Sequence, residues 1–190
     1  MNRTPSVCNI ERAAPHEAAL AMEVIALCRD HMRANGSDQW NDLYPRMEVV
    51  QADADAGSLY LLRTGEDCIG AVCLNEQQAP EYGTLPWRYK AARILVVHRL
   101  CVIPEWQGRG GARMLMDFAE EHALREGYGA IRLDTFTGNP RAIALYVRRG
   151  YEIAGNACLS ARRLPVVCFD KLVCAKSAQV HEALRGFFGT

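Results

Sequence analysis

The sequence lacks net charge and lacks any long apolar run. Its 22 Lys and Arg residues balance its 22 Asp and Glu residues. A chain without a charge excess has no general attraction for nucleic acids or anionic membranes, so any anion site has to be local. The N-terminal segment MNRTPSVCNIERAAP contains no apolar stretch typical of a secretory signal, and no run approaches the ~20 apolar residues of a membrane helix. We therefore expect no nucleic-acid partner, no membrane partner and a cytoplasmic location.

Cysteine is frequent, but the patterns typical of disulfide frameworks and zinc sites are missing. None of the eight cysteines forms a C-x-x-C pair, and most lie inside apolar runs such as VVCFD and RLCVIP. Small apolar side chains in such runs are typical of a buried core in a reducing compartment. The sequence therefore predicts free, buried cysteines and no metal site.

No internal repeat or low-complexity segment interrupts the chain, and its patterns predict one mixed α/β domain. The predicted strands cover 58–63, 68–74, 93–102, 130–136, 151–159 and 166–173. The predicted helices cover 15–34, a short stretch from 38 that ends at Pro45, 111–126, 140–149 and a tail at 177–188. Residues 76–92 are polar with two prolines, which predicts a long surface loop. Loops of this length in compact domains are usually functional.

The strongest local signal is VIPEWQGRGGARML at residues 102–115, where a strand pattern meets a helix pattern. A helix start leaves backbone N–H groups unpaired and carries partial positive charge. Glycines let a loop turn several N–H groups toward one anion. Three glycines and two arginines at this junction therefore predict an anion site rather than a flexible connector.

Two common phosphate-binding loops do not fit this stretch. A Walker loop needs Lys followed by Ser or Thr after its last glycine, where this chain has Ala112 and Arg113. A dinucleotide fingerprint needs a third glycine at position 113, and only Gly108 and Gly110 fit its first half. The absent Lys-Ser/Thr pair argues against a nucleotide-binding protein.

The stretch from Gln107 to Ala112 instead resembles the Q/R-x-x-G-x-G/A motif of the GNAT family of N-acetyltransferases, with Ala112 at a position where glycine is commoner. SDQWNDLYP, RLCVIPEWQGRGGARMLMDFAEEHA and IRLDTFTGNPRAIALYVRRGYE resemble one bacterial branch of that family. The resemblance implies an acetyltransferase domain over 1–174 and a helical extension over 175–190. It also implies an α/β fold whose mixed, mostly antiparallel seven-stranded sheet is splayed at strands 4 and 5, with about four flanking helices.

The family resemblance also implies acetyl-coenzyme A as cosubstrate and no metal. In the family, the glycine loop binds the pyrophosphate, and the end of the preceding strand pairs with the pantetheine arm. The residues that this implies for cofactor binding are Leu100, Cys101, Val102, Gln107, Gly108, Arg109, Gly110, Gly111, Ala112, Arg113 and Asn139.

The implied reaction is direct attack of a primary amine on the thioester, in which Tyr146 occupies the position of the family's general acid. A phenol titrates near ~10 and a thiol near ~8.5, so Tyr146 would help mainly by hydrogen bonding to the departing sulfur. The general base stays open. Asp134 is favoured as a strand-end carboxylate, and the alternatives are His98, Glu76, Glu81 or water.

The acceptor is the part that the residues identify least. The candidates for its pocket are Trp40, Tyr44, Trp87 and His98, and core packing is the alternative for each. Arg99 is expected to form a structural ion pair. The function that follows is acetyl transfer to a small-molecule or peptide amine, and the alternative is a non-catalytic acyl-coenzyme A sensor on the same fold. The apolar stripe of the tail helix fits either core cover or a homodimer contact.

Overall fold

A computed structural model describes residues 8–159 and 164–174 of the chain. The strands are β1 (Cys8–Arg12), β2 (Leu59–Thr64), β3 (Asp67–Asn75), β4 (Ile94–Val102), β5 (Ala130–Phe136), β6 (Glu152–Leu159) and β7 (Leu164–Leu172). The α-helices are α1 (Ala18–Ala34), α2 (Met47–Asp55), α3 (Gly111–Arg125) and α4 (Pro140–Arg148). Short 3-10 turns cover Pro15–Glu17, Pro80–Thr84 and Pro104–Trp106. No helix in this part of the chain is long and apolar enough to cross a membrane.

Within the described ranges, the seven strands form one sheet in the order β1-β2-β3-β4-β5-β7-β6. Strands β4 and β5 pair in parallel, and every other neighbouring pair is antiparallel. The mixed seven-stranded sheet with four α-helices confirms the fold that the sequence predicted.

Strands β4 and β5 separate about halfway along their length. Their parallel register runs from Ile94↔Ala130 to Val97↔Leu133. Beyond that point β4 continues in register with β3, and β5 continues in register with β7. The sheet is therefore splayed between the carboxyl-terminal halves of its two central strands, where the predicted anion loop begins.

The sheet buries both of its faces. In β2, Tyr60 and Leu62 belong to the apolar cluster under α3, whereas Leu59 and Leu61 belong to the cluster under α1 and α2. Successive side chains of a strand point to opposite faces, so a strand covered on both sides has to be apolar throughout. This explains why β2 and β3 have continuous apolar sequences rather than alternating ones.

A bulge in β4 marks the start of the splayed region. The β3 register shifts between Ala71↔Cys101 and Cys73↔His98, and Arg99 there has a φ of 51°. The Arg99 side chain reaches α2, where its Nη2 lies 2.7 Å from Asp53 Oδ1 and 2.6 Å from Oδ2. The predicted structural ion pair of Arg99 is confirmed, and it ties α2 to the bulge.

The predicted short helix from 38 to Pro45 is wrong. This segment consists of turns, with an isolated bridge between Asn41 and Tyr44. The Asn41 side chain accepts a hydrogen bond from the backbone N–H of Leu43 (2.9 Å), and such local bonds compete with helix formation. The helix in this region is instead α2, after Pro45, and the edge strand β1 was also not predicted. The predicted tail helix 177–188 and extension 175–190 lie outside the described residues.

We expect Asp53→Ala to lower the free energy of unfolding by about 3 kcal/mol, because it leaves the buried Arg99 guanidinium without its counterion. Asp55→Ala is the matched control, since Asp55 lies on the same helix but is exposed, and its removal should change stability by less than ~0.5 kcal/mol. Urea unfolding followed by circular dichroism measures both. Equal stability of the two variants would contradict a structural role for the pair.

Candidate active site

The splayed region brings four elements together. The end of β4, the start of α3, the end of β5 and helix α4 all border the space between the two central strands. In the described residues, β4 has no β5 partner after Val97, so one edge of Leu100–Val102 faces this space. An unpaired strand edge offers N–H and C=O groups to an extended ligand.

The glycine loop supplies a second set of backbone donors. Gly108 and Gly110 have φ angles of 76° and 92°, a conformation that residues with a Cβ rarely adopt. A Cβ built on Gly108 would meet no atom within 4 Å, so glycine is needed there for its backbone conformation and not for close packing. Helix α3 starts at Gly111, and its first N–H bond to a preceding carbonyl runs from Met114 to Gly110 (3.0 Å). The N–H groups from Gly111 to Arg113 are therefore those that the helix start can offer to an anion.

The loop is fixed to the end of β4. Gln107 donates from its Nε2 to the Val102 carbonyl (3.1 Å), and the Cys28 thiol approaches the same oxygen at 3.3 Å. A Cβ on Gly111 would lie 3.1 Å from the Val102 side chain, so the helix start packs directly on the strand. The side chain of Gln107 thus anchors the loop, a role that the motif alone did not indicate.

Positive charge lies beside this loop. Arg109 is exposed, and its guanidinium lies 5.4 Å from the centre of the Trp106 ring. Arg113 is also exposed, and its Nη2 would lie 3.6 Å from a Cβ on Gly110. Both arginines are therefore next to the backbone donors, which agrees with a local anion site in a chain without net charge.

Tyr146 lies in the wall of the splayed region. It is 6% exposed, and its ring packs 6.0 Å from Tyr151 and 5.7 Å from Phe169. Burial raises its pKa well above the usual range, and the nearby charge of Asp134 raises that pKa further. The phenol is consequently neutral at physiological pH and is available as a hydrogen-bond donor.

Asp134 lies in the second half of β5, where it is the register partner of Cys168. Its Oδ2 accepts a hydrogen bond from the Tyr82 hydroxyl at 2.8 Å. Its charge acts on Tyr146 and also on Cys168 of β7, whose pKa is raised to about 12 by burial first and by Asp134 second. The structure thus adds Tyr82 to the surroundings of Asp134, and the only sequence signal for Tyr82 was its place in the long polar loop.

Asn139 caps α4 as predicted. Its Oδ1 accepts from the backbone N–H of Ala142 (3.1 Å), and its Nδ2 donates to Gln39 Oε1 (3.0 Å). Gln39 belongs to the segment between α1 and α2. The same segment contacts β4 through Tyr44, whose hydroxyl accepts from Arg99 at 3.1 Å. The segment between α1 and α2 therefore contacts both sides of the splayed region.

The remaining predicted residues make well-defined contacts. Trp40 is 4% exposed and packs in the cluster under α1 and α2. Trp87 donates from Nε1 to the Tyr82 carbonyl at 2.7 Å. His98 Nε2 lies 3.1 Å from Asn75 Oδ1, at the end of β3. These three side chains make packing or loop contacts, and a role in the acceptor pocket stays a prediction.

Two of the alternative bases have contacts of their own. Glu76 forms an ion pair with Arg93 at 2.9 Å, and that hydrogen bond lowers the pKa of Glu76. Glu81 lies in the 3-10 turn of the long loop, where its carbonyl accepts a hydrogen bond from the Thr84 hydroxyl at 3.0 Å. Among the residues that the structure describes, no group of three or more His, Cys, Asp or Glu side chains could hold a metal ion.

A model of the acetyltransferase (GNAT) family matches residues 24–151 of the chain. The GNAT-family acetyltransferase of Streptococcus agalactiae is 23% identical with a TM-score of 0.73, and the match covers 87% of this chain and 95% of that chain. The yncA protein of Salmonella typhimurium, solved with its cofactor acetyl-CoA, is 17% identical with a TM-score of 0.66, covering 89% and 95%. The ribosomal-protein-S18-alanine N-acetyltransferase of Escherichia coli is 12% identical with a TM-score of 0.62, covering 88% and 94%. At these identities the structural matches establish the fold alone.

We expect Tyr146→Phe to make the free energy of unfolding less dependent on pH in the alkaline range than it is in the wild type. Because the pKa of Tyr146 is raised in the folded state, this tyrosine ionises at lower pH in the unfolded chain than in the folded one. Its contribution to the free energy of unfolding is therefore complete below pH ~10 and is lost as the pH rises further. The free energy of unfolding should then fall less steeply in the variant, by up to ~1.4 kcal/mol per pH unit. Urea unfolding from pH 7 to 11 measures the slopes, and parallel curves above pH 10 would contradict the assignment.

Proposed function

Because the chain belongs to the acetyltransferase (GNAT) family, we propose that it transfers the acetyl group of acetyl-coenzyme A to the nitrogen of a primary amine by direct attack. The observation that carries this proposal is the meeting of three features in the splayed region. These are the glycine loop at the start of α3, the unpaired edge of β4, and the side chains of Tyr146 and Asp134, which interact electrostatically.

The residues present fit coenzyme A. The N–H groups at the start of α3 would hold the pyrophosphate oxygens, and Arg109 and Arg113 add positive charge at the rim. The edge of Leu100–Val102 would pair with the amide groups of the pantetheine arm. Bound in this way, the cosubstrate presents an activated acetyl group between β4 and β5.

Two protons then have to move, one away from the attacking nitrogen and one to the departing sulfur. The new N–C bond forms as the amine nitrogen attacks the thioester carbonyl, and the C–S bond breaks. Asp134 accepts the proton that the nitrogen loses, and Tyr146 donates a hydrogen bond to the sulfur as negative charge develops there. Since Tyr146 holds its proton tightly, it stabilises the developing thiolate, and the thiol takes its final proton from solvent.

Asp134 is the preferred base because its charge acts on Tyr146, whereas Glu76 is engaged by Arg93 and His98 contacts the end of β3. A base has to lie within hydrogen-bond reach of the nitrogen or act through one water.

The acceptor would enter beside the segment between α1 and α2. Gln39 of this segment is bonded to the cap of α4, and Tyr44 is bonded to Arg99 of β4, so the segment spans the reaction space from one side to the other. Tyr44 is half-buried and is the aromatic residue best placed to contact an amine. We propose a small-molecule or peptide amine as the acceptor.

A pair of substitutions at Gly108 tests the loop. Asn and Asp both tolerate the left-handed conformation that Gly108 adopts, and a Cβ there meets no protein atom within 4 Å. We expect Gly108→Asp to weaken coenzyme A binding by roughly 10-fold or more relative to Gly108→Asn, because only Asp repels the pyrophosphate. Isothermal titration calorimetry measures both. Equal dissociation constants would place the phosphates elsewhere.

A second pair separates catalysis from binding. We expect Tyr146→Phe to lower kcat by roughly 100-fold while the Kd for coenzyme A stays the same. Tyr151→Phe removes the hydroxyl of a neighbouring buried tyrosine and should leave kcat close to that of the wild type. Thiol release in the presence of an amine panel measures the rate. Tight cofactor binding with no turnover on any amine would favour the alternative, a non-catalytic acyl-coenzyme A sensor.

A further inference from the structure

The long loop at 76–92 is fastened to the sheet by two buried charged residues. Arg132 of β5 and Asp170 of β7 are register partners, with exposures of 8% and 0%. Arg132 donates from Nη1 to Gln78 Oε1 (2.6 Å), and Asp170 Oδ2 accepts from the backbone N–H of Tyr89 (3.0 Å). Both ends of the loop are therefore held against the sheet, although its sequence is polar and irregular.

Between these two anchors, the loop holds one tyrosine in place. Trp87 donates from Nε1 to the Tyr82 carbonyl (2.7 Å), and the two rings lie 4.9 Å apart. The Arg132 guanidinium lies 4.1 Å from the centre of the Trp87 ring. The Tyr82 ring itself packs in a cluster with Val96, among other buried residues of the sheet. The position of Tyr82 is thus set by contacts on both its backbone and its ring.

The Tyr82 hydroxyl is directed at Asp134. Its oxygen lies 2.8 Å from Asp134 Oδ2, and the whole residue is only 2% exposed. A side chain so deeply buried lies behind the carboxylate and not beside a substrate. Because one carboxylate oxygen is held by a fixed donor, the rotation of the carboxyl group is restricted.

We propose that Tyr82 is a positioning residue, which orients the Asp134 carboxylate for proton abstraction and keeps it ionised. This inference rests on the proposed function, because it takes Asp134 as the general base. It assigns a role to the long loop, which is to carry a hydrogen-bond donor to the end of β5.

The hydrogen bond from Tyr82 acts on the charged form of Asp134. Titratable groups whose contacts or charges involve Asp134 include Tyr82 from the loop, Tyr146 from α4 and Cys168 from β7. His98 of the neighbouring β4 contacts the end of β3. A hydrogen bond that is donated to a carboxylate favours its negative form, so the Tyr82 hydroxyl stabilises the ionised Asp134.

The test is the pH dependence of kcat/KM in Tyr82→Phe. The ring is kept, so its packing and the Trp87 bond to its carbonyl should survive. Loss of a hydrogen bond to the charged form makes the carboxylate protonate at higher pH, and the acidic limb of the profile should shift upward by roughly one pH unit. The KM for acetyl-coenzyme A should not change. A profile that superimposes on that of the wild type would overturn the proposal.

Tyr89→Phe is the matched control. Tyr89 lies on the same loop, and its hydroxyl donates to Glu152, away from β5, so this variant also loses one hydroxyl bond of the loop. Its profile should match that of the wild type. An equal shift in both variants would mean that a loosened loop, and not the missing donor, is the cause.

Two further measurements separate this proposal from the proposed function. In an active enzyme, Tyr82→Phe combined with Asp134→Asn should be no slower than Asp134→Asn alone, and additive losses would refute a role that acts through Asp134. The second measurement needs no activity. Carbon-13 NMR of the side-chain carboxyl groups, assigned with Asp134→Asn, gives the titration midpoint of Asp134, which should be higher in Tyr82→Phe. An unchanged midpoint would overturn the proposal, whereas wild-type inactivity on every amine would count only against the proposed function.

Discussion

The architecture of this protein depends on the parting of β4 from β5 after the Val97↔Leu133 pair. Up to that point the two strands form the only parallel pair of the described sheet, and beyond it each strand pairs on its outer side alone. The space between them gives a ligand access to the middle of a sheet whose faces are otherwise buried. An unpaired edge inside a fold costs free energy unless something pairs with it, which is why a strand-like ligand suits this position.

Different parts of the chain supply binding and chemistry around this space. Cofactor binding would rest on backbone groups, those of the glycine loop and of the β4 edge, whose directions are set by the local conformation. The proposed chemistry rests on two side chains, Asp134 and Tyr146, and burial together with the charge of Asp134 raises the pKa of Tyr146. The bulge at Arg99 links the two parts, because its ion pair with Asp53 fixes the bent strand against α2.

Local signals were predicted well, and the contacts between distant segments were not. The glycine loop and the Asn139 cap follow from a few neighbouring residues and were found where the sequence placed them, and the boundaries of the six predicted strands lie within two residues of the prediction. The segment before α2 was assigned to the wrong element, because a side-chain bond from Asn41 and the bridge between Asn41 and Tyr44 outweigh helix propensity there. Tyr82 reaches Asp134 across 52 positions of sequence, and no spacing rule connects such residues.

The amino-acid sequence by itself determined the family, the sheet with its helices and the position of the glycine loop, because these depend on periodicity and on motifs of adjacent residues. Only the tertiary structure decided which residues surround the carboxylate of Asp134 and the phenol of Tyr146. The ionisation and orientation of a side chain depend on burial and on partners brought together by folding. Tyr82 meets Asp134 because the long loop packs against β5, and the charge of Asp134 acts on Tyr146 of α4. Three-dimensional packing, and not sequence order, makes that arrangement.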